Sequence, residues 1–164
     1  MLDMSNWIVR EARPDDAAGI AAVHVQGWLE TYEGVLDEEV IRRNTVLSER
    51  EAQWHGWLAD PQGQRVLVGE IDGRIVGFSV AGPARDEDAP VPLEFQTLYT
   101  LAETHGSGLG HALAEVLGDE DAYLWVVRGN PRAMKFHRKL GFEIEEPPVY
   151  RHNESDVRMV RVRS

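Results

Sequence analysis

The 164-residue sequence contains no cysteine. That absence excludes disulfides, thiolate metal ligands and a cysteine nucleophile. Basic residues are scarce beside acidic ones, 17 against 28, for a net charge of −11. Nucleic-acid binding rests on basic surface, so no nucleic-acid partner is expected. No apolar run approaches the ~20 residues of a membrane span, and no basic start followed by an apolar stretch marks a secretory leader. No membrane association is expected, and a cytoplasmic location fits. The six histidines include no H-x-x-x-H or H-E-x-x-H pair, which leaves no metal site to expect. A nucleophilic serine elbow, G-x-S-x-G, is also missing: Gly106-Ser107-Gly108 is too short a match.

What is present reads as one α/β domain over residues 1–164. Trp7–Arg10 is a short strand with Arg10 facing outward. Pro14-Asp15-Asp16 opens a helix that ends near Trp28. Ser48 and Glu51 form a capping box for a second helix carrying Trp54, Trp57 and Leu58 on one face. Asp72-Gly73 sits between two β-rich runs, the preferred two-residue turn of a hairpin. Pro83–Pro92 is an acidic loop, Leu93–Thr100 a strand, Gly108–Leu117 a helix and Ala122–Val127 a short apolar strand. Pro131 and Gly141 bracket the next helix. Two last strands fall near Phe142–Glu145 and Val157–Arg163.

Two stretches carry chemistry. In HGSGLGHAL, His105–Leu113, three glycines precede a helix and follow an extended segment. Glycines there let successive N–H groups turn toward one anion, and the helix adds the positive end of its dipole. The spacing is wrong for a dinucleotide fingerprint, because His111 stands where a third glycine is needed. No lysine follows to make a P-loop. The second stretch, NPRAMKFHRKLGF, spans Asn130–Phe142 behind the apolar strand.

Together these stretches resemble the GCN5-related N-acetyltransferases, the GNAT family. Its Q/R-x-x-G-x-G/A loop aligns with His105–Gly110, and its N-x-x-A-x-x-F-Y-x-K-x-G-F segment with Asn130, Ala133, Phe136, Lys139, Gly141 and Phe142. The order of elements resembles the same fold over nearly the whole chain, a mixed central sheet flanked by helices. VHVQGWLETYEGVL (Val23–Leu36) is similar to a subgroup whose first helix closes on a Trp…Tyr-x-Gly pattern. Acetyl-coenzyme A is thus the implied co-substrate, and a primary amine of a small molecule, amino acid or peptide N-terminus the implied acceptor. A homodimer is compatible with the resemblance. A second reading is a GNAT-like domain that binds acetyl-CoA or CoA as a sensor or interaction module.

The resemblance implies cofactor contacts at Leu98, Tyr99, Thr100, His105, Gly106, Ser107, Gly108, Leu109, Gly110, His111, Asn130, Ala133 and Phe136, and acceptor contacts at Trp28, Glu30 and Tyr32. Acetyl transfer needs a neutral amine, a polarised carbonyl and a departing thiolate. Leu98–Thr100 would supply a backbone N–H to the carbonyl. Glu94 is the candidate base, with burial raising its pKa; anchoring the substrate's ammonium and a purely structural role are its rivals. His137 stands where the family has tyrosine. It is either a general acid for the sulfur or a packing contact beside the cofactor. His105 and Ser107 also depart from the family's usual residues. Arg128, Arg132, Lys135, Arg138 and Lys139 cluster around the second stretch, either offsetting the acidic field there or forming a plain solvated helix face.

Overall fold

The structure, a computed structural model, describes residues 6–163. The order is β1 (Ile8–Glu11), α1 (Ala17–Tyr32), α2 (Glu38–Asn44), α3 (Leu47–Ala59), β2 (Arg65–Ile71), β3 (Arg74–Pro83) and β4 (Leu93–Thr100). Then follow α4 (Leu109–Leu113), β5 (Ala122–Val127), α5 (Pro131–Lys139), β6 (Glu143–Ile144), β7 (Tyr150–Arg151) and β8 (Asp156–Arg161). The sheet is mixed: β4 and β5 run parallel, while β1–β2, β5–β8 and β6–β8 are antiparallel. The α/β class expected from the sequence is therefore the one observed. Two compact units share the chain, Met1–Val80 with Thr97–Val116, and Ala81–Gln96 with Leu117–Ser164.

In the first unit the strand order is β1-β2-β3-β4. Asp72 and Gly73 have φ of 50° and 80°, the backbone that a two-residue hairpin turn needs to match strand twist. Ile20, Ala21 and Val23 of α1 and Trp54 of α3 pack on Val68, Val76 and Phe78 of the sheet. His24 joins this core, with ring centroids 5.5 Å from Phe78 and 5.6 Å from Tyr99. Its Nδ1 accepts from Trp54 Nε1 at 3.1 Å, so the neutral ring carries its proton on Nε2. Burial pulls the His24 pKa down to about 3, and the nearby Arg50 charge adds to the effect.

The second unit orders its strands β4-β5-β8-β6, with β7 also on β8. Phe95, Tyr123, Leu124, Phe142, Val157 and Met159 are buried in it. Helix α5 is bounded at both ends by its own sequence. Asn130 Oδ1 accepts the Ala133 N–H at 3.1 Å. At the other end Phe142 N–H reaches His137 O and Gly141 N–H reaches Arg138 O, both at 3.0 Å, with Gly141 at φ 96°. That is a Schellman close, sealed by the fully buried Phe142. His137 sits on the inner face, with Phe95, Phe136 and Phe142 between 5.5 and 6.2 Å from its ring. Burial there lowers its pKa to about 4, and its Nδ1 has no hydrogen-bond partner.

Several elements differ from the sequence reading. Helix α1 runs four residues beyond Trp28, to Tyr32, because no breaker intervenes before Gly34 at φ 80°. Helix α2 was not expected; Asp37 caps it, accepting the Glu39 N–H at 3.1 Å. Ser48 lies inside α3, whose N-cap is Val46 without a side-chain bond, so the expected capping box does not form. The last turn before β5 is a 3-10 segment, Ala114–Leu117, rather than a continuation of α4. Strand β7 falls in what reads as a loop. Arg10 does not face freely outward: its guanidinium closes on Asp16 at 2.8 and 2.9 Å and on Glu70 at 3.2 Å.

Two outcomes follow from the packing. A Cβ on Gly27 would lie 2.5 Å from Cδ1 of Tyr99 and 2.8 Å from its Cγ, positions a ring cannot vacate by rotating a side-chain tip. Gly27→Ala is expected to lower the urea-unfolding free energy by about 1–3 kcal/mol, although alanine favours helix by about 1 kcal/mol. Unchanged or raised stability would show that this approach is slack. Separately, His24 and His137 are neutral in the fold and titrate near the ordinary 6.5 when unfolded. Between pH 6.5 and about 4 the unfolded chain binds more protons, so stability falls as pH drops, by up to about 1.4 kcal/mol per pH unit per histidine. Urea melts at pH 7, 6 and 5 measure this, and His24→Gln or His137→Gln should each shallow the slope.

Candidate functional site

The glycine loop belongs to the first unit and leaves β4 under close control. Leu101 N–H bonds to Val76 O at 2.9 Å, and the buried Thr104 turns the chain, its Oγ1 donating to Leu101 O at 2.7 Å. Gly106 and Gly108 then take φ of 84° and 89°. A Cβ at Gly106 would touch nothing within 4 Å, so its backbone sign, not crowding, calls for glycine. Leu109 and Leu113 bury α4 in the core, and Ser79 Oγ donates to Leu113 O at 2.8 Å. Trp7 supports the loop from below. Its Nε1 donates to Ser107 O at 3.2 Å, and its ring edge comes within 3.6 Å of where a Gly108 Cβ would be. No sequence signal marked Trp7 for this role.

The loop's donors divide cleanly. Ser107 N–H is used by Thr104 O at 3.1 Å, Leu109 N–H by Ser107 Oγ at 3.4 Å, and Ala112 N–H by Gly108 O at 3.1 Å. The N–H groups of Gly106, Gly108 and Gly110 take no part in these bonds. Backbone donors at left-handed glycines leading into a helix suit a diphosphate, whose oxygens only accept. The residues present therefore fit the group that the sequence resemblance implies. His105 is exposed and its Nε2 lies 3.2 Å from Thr100 O, which ties the loop's first residue back to the strand. His111 is exposed on α4.

The expected acceptor residues lie in the same unit. The Trp28 and Tyr32 rings lie 4.4 Å apart, centroid to centroid, with their planes tilted by 47°, and Tyr32 hydrogen-bonds Tyr99. Burial is the main reason the Tyr99 phenol is pushed well above its ordinary range. Tyr99 is thus neutral at pH 7. Glu30 is exposed and already engaged, accepting from Ala102 N–H at 3.2 Å and Gln26 Nε2 at 3.3 Å. It ties the end of α1 to the turn after β4.

Glu94, Asn130, Ala133, Phe136 and His137 belong to the second unit. Glu94 is 2% exposed and both carboxylate oxygens are taken. Arg85 donates from Nε at 3.0 Å, from Nη2 at 2.8 Å and from its backbone N–H at 3.2 Å; Tyr123 OH donates at 3.1 Å. Burial alone would raise the Glu94 pKa, but the Arg85 bonds and charge outweigh it and hold the group below its ordinary value. The expectation of a raised pKa is therefore corrected, for a reason nine residues away in sequence. His137, too, differs from the imidazolium acid considered above: with a pKa near 4 it is neutral at pH 7. The Asn130 Oδ1 and the Ala133 N–H are engaged with each other in the α5 cap. Arg132, Lys135, Arg138 and Lys139 are exposed along that helix.

A model of the GNAT acetyltransferase domain matches residues 62–144, about half of the chain. The uncharacterised N-acetyltransferase YuaI of Bacillus subtilis is 32% identical over 130 residues, 75% of this chain and 73% of that one. An uncharacterised N-acetyltransferase of Mycobacterium tuberculosis is 33% identical over 120 residues, 67% of this chain and 74% of the relative. Among solved structures, the PaiA N-acetyltransferase of Thermoplasma acidophilum in complex with coenzyme A superposes with a TM-score of 0.77 at 22% identity, covering 95% and 98% of the two chains. YncA of Salmonella typhimurium, solved with acetyl-CoA, gives 0.68 at 22% identity over 94% and 92%. At such identities the structures speak for the fold. With the domain match, the sequence relatives and the glycine loop in agreement, the chain belongs to the GNAT family of acetyltransferases.

Proposed function

We propose that this GNAT-family N-acetyltransferase takes its acetyl group from acetyl-CoA and passes it directly to a primary amine bound in the same complex. The acceptor is a small molecule, an amino acid or a peptide N-terminus. The observation that carries the reading is the glycine loop, with Gly106 and Gly108 at positive φ and three glycine N–H groups that take no part in the loop bonds described. PaiA and YncA, which share the fold, were solved with coenzyme A and acetyl-CoA, and this supports the same ligand here.

The thioester supplies a carbonyl open to attack by a neutral amine. Gly106, Gly108 and Gly110 would hold the diphosphate, and the strand end at Leu98–Thr100 would offer the N–H that steadies the carbonyl oxygen. Trp28, Tyr32 and Tyr99 would shape the acceptor side. Glu94 is read as a positioning residue: its carboxylate fixes Arg85 and Tyr123, and the Arg85 bonds and charge weaken it as a base. His137, caged by three phenylalanines, is read as packing rather than as the acid. The acceptor's ammonium first gives a proton to solvent. The neutral amine then forms the new C–N bond, the C–S bond breaks to release coenzyme A as its thiolate, and the surplus N–H proton passes to solvent. The acceptor's own pKa therefore sets the pH profile.

The direct test is thiol release from acetyl-CoA with a mixed panel of amines, amino acids and peptides. Release that depends on an amine is expected; acetyl-CoA binding without release from any of them would favour the sensor reading. For an acceptor so found, Glu94→Gln should lower kcat by less than about tenfold and leave the pH profile in place. Removing a true general base costs about 10²–10⁴-fold and flattens that profile. Gly108→Ala forces a side chain to φ near 89°. It should raise the KM for acetyl-CoA about tenfold or more, since left-handed backbone costs about 1–2 kcal/mol, with little change in far-UV circular dichroism.

A further inference from the structure

The His24 side chain is buried, at 8% exposure, and only one of its two ring nitrogens is used. Nδ1 accepts from Trp54 Nε1, which leaves the proton on Nε2. Among the described residues nothing accepts from Nε2, yet the atom is not sealed off and keeps an opening to solvent. An indole N–H only donates, so Trp54 holds the imidazole in this tautomer. With its pKa drawn down to about 3, the ring takes up no proton at pH 7. His24 is therefore a fixed, neutral hydrogen-bond donor.

That donor stands in a row with the acceptor-side residues. His24, Trp28 and Tyr32 follow one another at four-residue steps, which puts them along one face of α1. Tyr99 of β4 runs beside the row and meets both of its ends. Its ring centroid lies 5.6 Å from that of His24, its ring fills the space over Gly27, and it hydrogen-bonds Tyr32. Phe78 at 5.5 Å and Trp54 at 6.0 Å close other sides of the imidazole. A lone N–H in a wall of rings recognises an oxygen and gains nothing from an alkyl chain. Among the acceptor classes above, amino acids and peptides carry such an oxygen, on the carbon beside the amine-bearing one. Plain alkylamines carry none.

We propose that His24 Nε2–H donates to the carbonyl oxygen next to the acceptor's amine, so that α-amino acids and peptide N-termini are preferred over plain alkylamines. The proposal rests on the acetyl-transfer reading above and narrows its substrate class. An alkylamine leaves that N–H to water, which costs the complex one neutral hydrogen bond. Trp54 acts through His24 as a positioning residue: without its N–H the ring is free to take the other tautomer, whose bare Nε2 repels an oxygen.

Two substitutions separate the donor from the packing. His24→Asn keeps an acceptor for Trp54 and loses the donor, whereas His24→Gln keeps an amide N–H near the position of Nε2. The whole protein is assayed with amino-acid amides and with short alkylamines. His24→Asn should lower kcat/KM about three- to tenfold with the amides and less than about twofold with the alkylamines. His24→Gln should recover part of the amide activity, with far-UV circular dichroism confirming that both variants fold. Binding is read without turnover, and without any variant, from the imidazole ¹⁵N resonances of wild-type protein labelled with ¹⁵N-histidine, with and without coenzyme A. The free protein should show the Nε2–H tautomer, and amino-acid amides should shift that nitrogen saturably while alkylamines leave it in place. Such a shift with no acetyl transfer to any amine would uphold the His24 site and overturn the acetyl-transfer reading. A proton found on Nδ1, an Nε2 that no amide moves, or alkylamines that move it equally would overturn the proposal. Equal losses for amides and alkylamines in a folded His24→Asn would also overturn it, by assigning the bound oxygen to the thioester.

Discussion

The ring of Tyr99 occupies the space that a side chain on Gly27 would need, 2.5 Å from where its Cβ would stand. That approach seats the end of β4 against α1, and much of the first unit depends on it. One turn earlier, His24 meets the same ring and also Phe78 and Trp54, which brings β3 and α3 into the cluster. From this fixed strand end the chain passes through the buried Thr104 into Gly106 and Gly108. The loop's donors can be preorganised because the strand feeding them is held by aromatic packing, and because Trp7 holds Ser107 O from the other side. Binding and fold share one constraint here.

Electrostatics set a second pattern. The chain is acidic, yet its buried carboxylates are neutralised by its own arginines. In the second unit Arg85 closes on Glu94, while Arg158, 2% exposed, bonds Glu145 and Asp88. Trp125 Nε1 holds Asp86 at 2.8 Å, so the acidic loop after β3 is tied down at several points. Charge that is paired in this way is poor at proton transfer, because the arginine stabilises the carboxylate and weakens it as a base. Desolvation has the opposite effect on the buried histidines, keeping them neutral and making them weak bases. Deprotonation therefore falls to the acceptor's own amine in the proposed reaction.

Local signals were legible in the sequence and distant ones were not. Asp72-Gly73 announced its hairpin, and Pro131 and Gly141 announced both ends of α5, because each acts on backbone within a few residues. Gly106 and Gly108 announced the loop for the same reason. The two-residue β7 and the seven-residue α2 are too short for periodicity to reveal. Ser48 carried a capping pattern, but the helix begins at Leu47, so the hydroxyl falls inside it. Glu94 was placed on its strand correctly, while its ionisation was misjudged. Its strength is set by Arg85 across the acidic loop and by Tyr123 on β5, partners that only the fold supplies. His137 was likewise found by its motif position, and its three-phenylalanine cage was not.

The central claim is that the N–H groups of Gly106, Gly108 and Gly110 receive the diphosphate of acetyl-CoA. Titrating ¹⁵N-labelled protein with coenzyme A and following backbone amide resonances tests it without any acceptor. The account predicts saturable downfield shifts at those three glycines, absent when coenzyme A is replaced by pantetheine, which lacks the diphosphate. Saturation with those three amides unmoved, while resonances elsewhere shift, would contradict it.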